Sequence, residues 1–256
     1  MIEATEYDQY YYKYEYDVVQ KHLIPLLQKW GVTLSGAKLL DVGCGDGGGL
    51  AALYDAGMTC KGFDIEPRRV ELALQMNNGR SMTLQVGNIY KHPLPFAGEQ
   101  FDLVVLHDVF EHLERKEEVL QVLKSYLAPG GKLFITFPPY YSAFGGHQQL
   151  MQTWFARLPF IHLLPFVVSD ILPRLTKEHK PFVEEIQKLA ALRMGMKKFE
   201  RLLPAAGLVL EAKQGYLISP NHIRFGLKPI PANIVANVPG LGELLTSGVV
   251  YLLSPK

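Results

Sequence analysis

The stretch LLDVGCGDGG, residues 39–48, decides the fold class of this chain. It joins a short apolar run to a turn that holds Gly43, Gly45, Gly47 and Gly48. Glycine permits positive φ angles and lets a ligand approach the backbone closely. The stretch therefore predicts a buried strand, a ligand-binding loop and then a helix. A tight turn without a ligand is the alternative.

On both sides of this stretch, short apolar runs alternate with helical patterns. Strands are predicted over 38–42, 59–64, 83–86, 101–106, 132–137, 208–217 and 249–253. Apolar residues at helical spacing predict helices over 17–30, 49–56, 67–76 and 114–127, and a further helix that ends near Ala206. This alternation is typical of an α/β protein with βαβ units and a parallel sheet.

We expect the whole chain, residues 1–256, to form one domain. An N-terminal lid and helix would occupy 1–36 and a cofactor-binding core 37–138. The strand rhythm then breaks, so a helical cap or insertion is expected over 139–198, and the C-terminal part of the sheet over 199–256.

The glycines alone leave the ligand undecided. Gly43, Gly45 and Gly48 satisfy the pattern GxGxxG, which also occurs in dinucleotide sites. Asp41, however, lies where a dinucleotide would bring its negatively charged pyrophosphate. A ligand with a sulfonium and an ammonium group carries positive charge, so an acid is favourable there. Asp41 and the 43–45 loop, with Cys44 inside it, therefore favour S-adenosyl-L-methionine.

Two further segments extend this predicted cofactor site. Asp64 ends the second strand, is followed by Ile65, and can accept hydrogen bonds from a ribose diol, although it could also cap the next helix. Asn88 and Ile89 follow the third strand and could contact the adenine. A plain turn is the alternative for Asn88.

With these motifs in order, the chain resembles class I S-adenosylmethionine-dependent methyltransferases over roughly residues 38–138. DVGCGDG at 41–47 is similar to the family's acid and glycine loop, FDI with Asp64 to its ribose acid, and LAPGGKLFITFP at 127–138 to its turn and fifth strand. Asn88 departs from the family, which has an acid there.

The resemblance implies a Rossmann-like, seven-stranded, mostly parallel sheet flanked by helices, with an antiparallel last strand. It also implies methyl transfer that leaves S-adenosyl-L-homocysteine as product. The alternatives from other classes are an NAD(P)-dependent oxidoreductase and a cofactor-binding protein without catalysis.

The segment LHDVFEHL, residues 106–113, follows the fourth strand and so lies at the ligand edge of the sheet. The resemblance places His107 beside the methionine part of the cofactor, and Asp108 is a second catalytic candidate. A helix from Asp108 would space His107 with Glu111, and Asp108 with His112, as i, i+4 pairs that cap each other locally. A divalent metal is an alternative, because His and carboxylate at this spacing can chelate one, but no metal site is predicted, since a third ligand is not evident.

A loop with the sequence FPPYYSAFGGHQQ, residues 137–149, follows the fifth strand. His147 in this loop is the best candidate for a general base, and a surface histidine is the alternative. The Pro138–Tyr141 segment resembles the loop of amino-methylating DNA enzymes, but it follows the wrong strand and lacks the preceding Asn or Asp.

Residues 150–175 are more apolar than an exposed insertion should be. They could pack on the domain or on a partner copy, or form a pocket or membrane-facing lid for a lipid-like acceptor. The proposed acceptor is therefore a small molecule or lipid-like, methylated on O, C or N, and the protein a monomer or homodimer. Interrupting prolines argue against a transmembrane span, but leave peripheral membrane contact open.

Composition argues against several other classes. A formal charge of +1 and the absence of a basic aromatic surface make nucleic acid an unlikely partner. Cys44 and Cys60 lack neighbours at metal-ligand spacing, and the first sixteen residues do not resemble a signal peptide. We therefore expect a cytoplasmic protein. The density of tyrosines before residue 17 also suggests a mobile lid that closes over the cofactor, and a disordered or partner-bound terminus is the alternative.

Overall fold

The computed structural model describes residues 3–148, 158–164, 180–238 and 240–256. Its strands are β1 (Lys38–Val42), β2 (Thr59–Asp64), β3 (Thr83–Val86), β4 (Phe101–His107), β5 (Leu127–Phe137), β6 (Leu208–Ile218), β7 (Ile230–Pro231) and β8 (Gly248–Pro255). They form one eight-stranded sheet in the order β3-β2-β1-β4-β5-β8-β6-β7. The first five strands run parallel, whereas β8 is antiparallel to both β5 and β6.

The described helices flank this sheet. They are α1 (Glu6–Val18), α2 (Ile24–Lys29), α3 (Gly48–Asp55), α4 (Pro67–Met76), α5 (Lys116–Ser125), α6 (Lys180–Leu192), α7 (Met196–Ala206), α8 (Asn233–Ala236) and α9 (Leu241–Leu245). A π-helical turn over Val19–Leu23 joins α1 to α2, and 3-10 turns cover Phe110–His112, Ile161–Leu163 and Pro220–Phe225.

Two apolar layers sandwich the sheet, because successive side chains of a strand point to opposite faces. Val104 and Leu106 of β4 pack in the layer that holds α5 and α7, whereas Leu103 and Val105 pack in the layer that holds α1 to α3. Burial on both faces explains why the central strands are mostly apolar.

The predicted α/β class is confirmed, with one correction to the strand count. The sheet has eight strands rather than seven, because the two-residue β7 pairs with β6 at its edge. β5 also begins earlier than predicted, at Leu127, with a register shift against β4 between Phe101 and Leu103. Most of the apolar 150–175 segment lies outside the described residues.

The tyrosine-rich N-terminal segment forms the helix α1, which the sequence pattern did not predict. The Thr5 hydroxyl accepts a hydrogen bond from the Asp8 amide, and the Asp8 carboxylate accepts one from the Thr5 amide. This capping box satisfies two amide groups that would otherwise be unpaired and fixes the start of α1. The helix predicted from residue 17 therefore begins eleven residues earlier, at Glu6.

Candidate active site

The site lies at the carboxyl edge of the sheet, where the strand order reverses between β1 and β4. α3, which follows β1, packs on one face of the sheet, whereas α5, which follows β4, packs on the other. The two connections therefore diverge and leave a crevice between them. Gly43 after β1, Asp64 at the end of β2 and His107 at the end of β4 all line this crevice.

The glycine loop takes a backbone conformation that other residues rarely adopt. Gly43, Gly45 and Gly47 have φ angles of 82°, 52° and 79°. A Cβ on Gly45 would meet only the Arg69 side chain within 4 Å, so the ligand-facing side of the loop is open. This confirms a strand–turn–helix unit with room for a ligand.

Gly48 has a different role from the one that the GxGxxG reading suggests. A Cβ there would lie 2.2 Å from the backbone oxygen of Tyr12. The glycine is therefore required by the close approach of α1 to the start of α3, and Gly48 does not line the crevice.

Asp64 holds the loop in place from the second strand. One carboxylate oxygen accepts the Gly45 amide and the other accepts the Glu66 amide, both at 2.9 Å. The helix cap proposed as its alternative role belongs instead to Glu66, whose side chain accepts the Arg68 amide. Asp64 therefore couples the glycine loop to the crevice wall.

A group of titratable side chains surrounds the methionine end predicted for the cofactor. Glu15 of α1, Asp41 of β1 and His107 of β4 line a small cavity of about 20 Å³. Asp41 is 6% exposed, and its Oδ1 has no hydrogen-bond partner among the described residues. Burial raises the pKa of Asp41 to about 7, and that of Glu15 also rises. Although burial opposes it, the carboxylates of Asp108, Glu15 and Asp41 raise the pKa of His107.

The adenine-side residues line a second cavity of about 560 Å³ that includes Ile65, Asn88 and Phe96. The side chain of Asn88 accepts a hydrogen bond from the Tyr90 amide at 2.9 Å, which is the turn role given above as its alternative. Asn88 also lines the cavity. Ile89 is 7% exposed and packs in the core. Cys44 is likewise buried and free, as is Cys60.

The main cavity, of about 610 Å³, extends from the glycine loop to the far side of the crevice. Apolar side chains form much of its distal wall, among them Phe137, Pro138, Phe144, Tyr216 and Val249. The polar residues His112, His147 and Glu185 join them there. Such a mixture of apolar walls and few polar groups is typical of small-molecule sites.

Asp108 faces the main cavity but is already engaged. Its φ of 55° lies in the left-handed region. Its amide donates to the Thr136 backbone oxygen, the Thr136 hydroxyl donates to Asp108 Oδ1 at 2.6 Å, and the Asn221 amide group donates to Oδ2. The helix predicted from Asp108 is wrong, because this left-handed residue is followed by a 3-10 turn.

The 3-10 turn brings the side chains of Glu111 and His112 close to that of His147. These contacts differ from the i, i+4 pairs of a helix. Glu111 is 3% exposed, and its Oε1 lies 3.4 Å from His112 Nε2 and 3.9 Å from His147 Nε2. His112 Nδ1 forms a short hydrogen bond with Glu185 of α6. Despite burial, Glu111 and Glu185 raise the pKa of His112 to about 10, whereas burial lowers that of His147.

Close packing of the preceding residues Gly145 and Gly146 fixes the position of His147. A Cβ on Gly145 would lie 2.1 Å from the Pro139 oxygen, and one on Gly146 would lie 2.5 Å from the His162 ring. His162 is buried and its Nε2 lies 2.6 Å from the Tyr140 oxygen. The two glycines therefore let the chain fold tightly and direct His147 towards Glu111.

Lys116 stabilises the 3-10 turn over Phe110–His112 through hydrogen bonds to backbone oxygens. Its ammonium group donates to the backbone oxygens of Phe110 at 2.6 Å, Glu111 at 3.2 Å and Leu113 at 2.5 Å. Burial lowers the pKa of this lysine to about 8. Sequence reasoning missed Lys116, because nothing in the sequence signals that a lysine caps the carbonyls of the preceding turn.

α1 lies along the crevice and is hydrogen-bonded to the rest of the domain at several positions. Asp8 accepts two hydrogen bonds from Arg68, which hold the pKa of its carboxyl well below the ordinary range. Tyr12 donates to Asn77, Tyr14 to the Asn221 oxygen and Tyr16 to Asp55. Tyr11, Tyr14 and Glu15 line the main cavity, so α1 forms one of its walls.

These features fit S-adenosylmethionine. The cofactor carries a sulfonium and an ammonium group, and the crevice offers the unpartnered oxygen of Asp41 with Glu15 and Asp64 nearby. A dinucleotide would instead bring two phosphate charges towards these acids. The charge of the site therefore agrees with the prediction made from Asp41.

Comparison with known proteins supports the same class. A family described as "Methyltransferase domain" matches residues 40–135. The chain is 26% identical over 218 residues to the ubiquinone biosynthesis O-methyltransferase of Xanthomonas euvesicatoria, covering 77% of this chain and 78% of that protein. It is 32% identical over 144 residues to an uncharacterized methyltransferase of Mycobacteroides abscessus, covering 52% and 53%.

Solved structures share the fold. A TehB-like methyltransferase from Corynebacterium glutamicum has a TM-score of 0.53 at 19% identity, covering 93% of this chain and 88% of its own. Magnesium protoporphyrin IX methyltransferase from Synechocystis, with bound S-adenosylhomocysteine, has a TM-score of 0.56 at 16% identity, covering 95% and 84%.

The sheet order, the acid-lined glycine loop and these matches define a class I S-adenosylmethionine-dependent methyltransferase. This chain is such an enzyme, and S-adenosyl-L-methionine is its methyl donor. The oxidoreductase and the non-catalytic cofactor-binding protein, held open as alternatives, are not supported. Within the described parts of the chain, no helix has the length and apolar character needed to cross a membrane.

Proposed function

We propose that this methyltransferase methylates a hydroxyl group of a small apolar acceptor bound in the distal part of the main cavity. The observation that carries the proposal is the composition of that wall: aromatic and aliphatic side chains lie beside His112 and His147, which form a polar cluster with the buried Glu111. The name of the Xanthomonas relative, a ubiquinone biosynthesis O-methyltransferase, agrees with an oxygen acceptor.

Most of the cofactor residues are assigned by their position around the cavities, whereas Ile89, which packs in the core, is assigned only as the neighbour of Asn88. Asp41, Gly43, Cys44, Gly45 and His107 would hold the methionine end. Asp64 and Ile65 would hold the ribose, and Asn88 and Ile89 the adenine side. One Asp64 oxygen accepts the Gly45 amide of the loop, and Ile65 lines both cavities, which supports a cofactor that bridges them.

When bound, S-adenosylmethionine supplies a methyl group on positively charged sulfur and leaves as S-adenosylhomocysteine. An acceptor hydroxyl held in the distal part of the cavity would take up that methyl group on its oxygen and would lose its proton to a base. Positioning supplies most of the acceleration of such an in-line transfer. The walls of the cavity therefore matter as much as the base.

Among the catalytic candidates, His147 is proposed as the group that accepts the proton of the acceptor hydroxyl. It lies on the distal wall, and Glu111 would stabilise the imidazolium that forms. Asp108 is held by Thr136 and Asn221, and His107 faces the acids of the methionine end. We assign these two residues to positioning.

The test is turnover of S-adenosylmethionine with three matched acceptors: a phenol that carries an alkyl chain, the same phenol without the chain, and the aniline analogue of the first. We expect the alkylated phenol to give the highest kcat/KM and an O-methyl product by mass spectrometry. Preference for the aniline, or indifference to the chain, would contradict the proposal.

Phe144→Ala should raise KM for the alkylated phenol by about tenfold, because an aromatic wall is lost from the acceptor end. Phe225→Ala is the matched control, since Phe225 is 52% exposed and does not line the cavity. KM for S-adenosylmethionine should stay unchanged in both variants. An equal effect of the two substitutions on KM for the phenol would remove Phe144 from the acceptor site.

A further inference from the structure

The buried carboxylate of Glu111 has no hydrogen-bond partner among the described residues. It is 3% exposed, and neither of its two oxygens accepts a hydrogen bond there. An ionised carboxylate removed from water without compensation is costly, so such groups usually bind a cation or lie against one. Its nearest polar neighbours, His112 Nε2 at 3.4 Å and His147 Nε2 at 3.9 Å, lie at ion-pair distance without forming a hydrogen bond, so a cation between the three groups would give the carboxylate the contact that it lacks.

Two imidazoles face the same point. One ligand atom each from Glu111, His112 and His147 lies within 4.8 Å of the others. Ligands that bind a metal at 2.0–2.2 Å in tetrahedral geometry lie roughly 3.3 Å apart. The separation of 3.4 Å between Glu111 Oε1 and His112 Nε2 already matches this, and that of 3.9 Å to His147 Nε2 needs only a small closure.

Glu185 gives His112 the orientation of a metal ligand. Its carboxylate pairs with Nδ1 of His112, which leaves Nε2 directed at Glu111. Metal-bound histidines commonly donate their other ring nitrogen to a carboxylate, which fixes the tautomer and the ring orientation. The Lys116 ammonium holds the backbone of the same turn, so two of the three ligand residues are fixed independently of any metal.

We propose that Glu111, His112 and His147 bind one divalent transition-metal ion, with Glu185 as the carboxylate that orients His112. Two imidazoles and one carboxylate suit Zn²⁺, Fe²⁺ or Mn²⁺. Mg²⁺, which prefers an all-oxygen octahedron, is a poorer match.

The role of the metal rests on the function proposed above, whereas its binding does not. His112, His147 and Glu185 line the main cavity, so an open coordination position would face the acceptor. An acceptor hydroxyl bound there would have its pKa lowered and would release its proton to solvent. In the metal-bound enzyme His147 would be a metal ligand and no longer the proton acceptor. The metal ion would then promote loss of the proton from the acceptor hydroxyl.

The experiment uses the full chain, depleted of metal with a chelator and studied without cofactor or acceptor. Calorimetric titration with Zn²⁺ and Mn²⁺ should give one site per chain, and Mg²⁺ should bind at least tenfold more weakly. Co²⁺ should give the visible absorption bands of a site with nitrogen ligands. Failure of both Zn²⁺ and Mn²⁺ to bind stoichiometrically would overturn the proposal, whatever the acceptor proves to be.

Variants assign the ligands. His147→Asn should abolish stoichiometric Zn²⁺ binding, and Glu185→Gln should weaken it by about 10–100-fold, as is usual for groups that orient a ligand. His92→Gln, an exposed histidine outside the cluster, is the matched control and should bind as the wild type does. Equal Zn²⁺ affinity of His147→Asn and wild type would rule out this ligand set.

Glu111→Gln gives an independent readout by thermal unfolding. Without metal, its Tm should lie close to that of the wild type, because loss of the ion pair with His112 is offset by removal of a buried charge. Zn²⁺ should raise the Tm of the wild type but not that of Glu111→Gln. A metal-free variant less stable than wild type, with Zn²⁺ stabilising both equally, would show that Glu111 serves only the fold.

Discussion

At the scale of single residues, the methionine end of the site combines three acids with one histidine. Asp41 is buried with an unpartnered oxygen, and Glu15, Asp64 and His107 are the charged or titratable groups that face it. Ionising Asp41 without a ligand is unfavourable, because burial removes the carboxylate from water. A cationic cofactor supplies the missing positive charge, so cofactor binding and Asp41 ionisation are coupled.

This coupling predicts a pH dependence of cofactor affinity. Burial raises the pKa of Asp41 from 3.8 to about 7, so the carboxyl is mostly protonated at pH 6 and mostly ionised at pH 8. If only the ionised form binds well, the Kd for S-adenosylmethionine should fall by about tenfold between these pH values. Loss of a proton from His107 acts in the same direction.

Asp41→Asn separates the two contributions, because it removes the carboxyl and leaves His107. Calorimetry at both pH values should show weaker binding by this variant and most of the pH dependence gone. An unchanged pH dependence would assign the effect to His107. The sign for stability is opposite: without cofactor, the raised pKa of Asp41 costs stability as pH rises from about 4 through about 7.

The same scale shows what the sequence could predict. The prediction of Asp41, Gly43, Gly45 and Asp64 as cofactor-side residues rests on local signals, because each lies in or directly after the carboxyl end of a strand at the same sheet edge. The cluster around Glu111 was not predicted, because His112 and Glu185 are separated by 73 positions in the chain. The left-handed backbone at Asp108, which redirects Glu111, is also invisible in the sequence pattern.

At the scale of elements, α1 is the part of the fold with the clearest link to the site. Its polar contacts reach α4, α3 and the segment before β7, and its inner face carries Tyr11, Tyr14 and Glu15 into the cavity. The sequence predicted a lid here but not a helix. Tyrosine is a poor indicator of helix, and the capping box at Thr5 and Asp8 was overlooked.

Gly48→Ala tests whether α1 acts as a lid. The added methyl group would lie 2.2 Å from the Tyr12 oxygen, so α1 should move away from α3 while the sheet remains folded. We expect weaker binding of S-adenosylhomocysteine and faster proteolysis near Tyr10. In the wild type, S-adenosylhomocysteine should slow this cleavage.

Gly79→Ala is the control for that experiment, since its Cβ would have no neighbour within 4 Å. Any loss of stability there would come from backbone strain and should leave cofactor affinity unchanged. Equal affinity and equal cleavage in Gly48→Ala and the wild type would show that α1 packs on the domain without closing over the cofactor.

At the scale of the whole molecule, topology explains why one edge of the sheet carries all of these residues. β1, β2 and β4 are parallel, so their carboxyl ends meet, and the reversal of strand order opens the crevice between β1 and β4. The alternation of strands and helices predicted a parallel sheet, whereas the order of the strands was implied only by the family resemblance. The sequence could not predict β7, whose two residues give no periodic signal.

The central claim is that this edge binds S-adenosylmethionine through Asp64 and the glycine loop. The most direct measurement is calorimetric titration of the wild type and Asp64→Ala with S-adenosylmethionine and, in parallel, with NAD. Asp102→Ala, an exposed carboxylate that accepts the Lys38 amide, is the control.

We expect one S-adenosylmethionine to bind per wild-type chain and NAD not to bind. Asp64→Ala should weaken S-adenosylmethionine binding by about 1.5–3 kcal/mol, the cost of losing hydrogen bonds to a charged group. Asp102→Ala should bind it as the wild type does. Unchanged affinity of folded Asp64→Ala, or tighter binding of NAD than of S-adenosylmethionine by the wild type, would contradict the account.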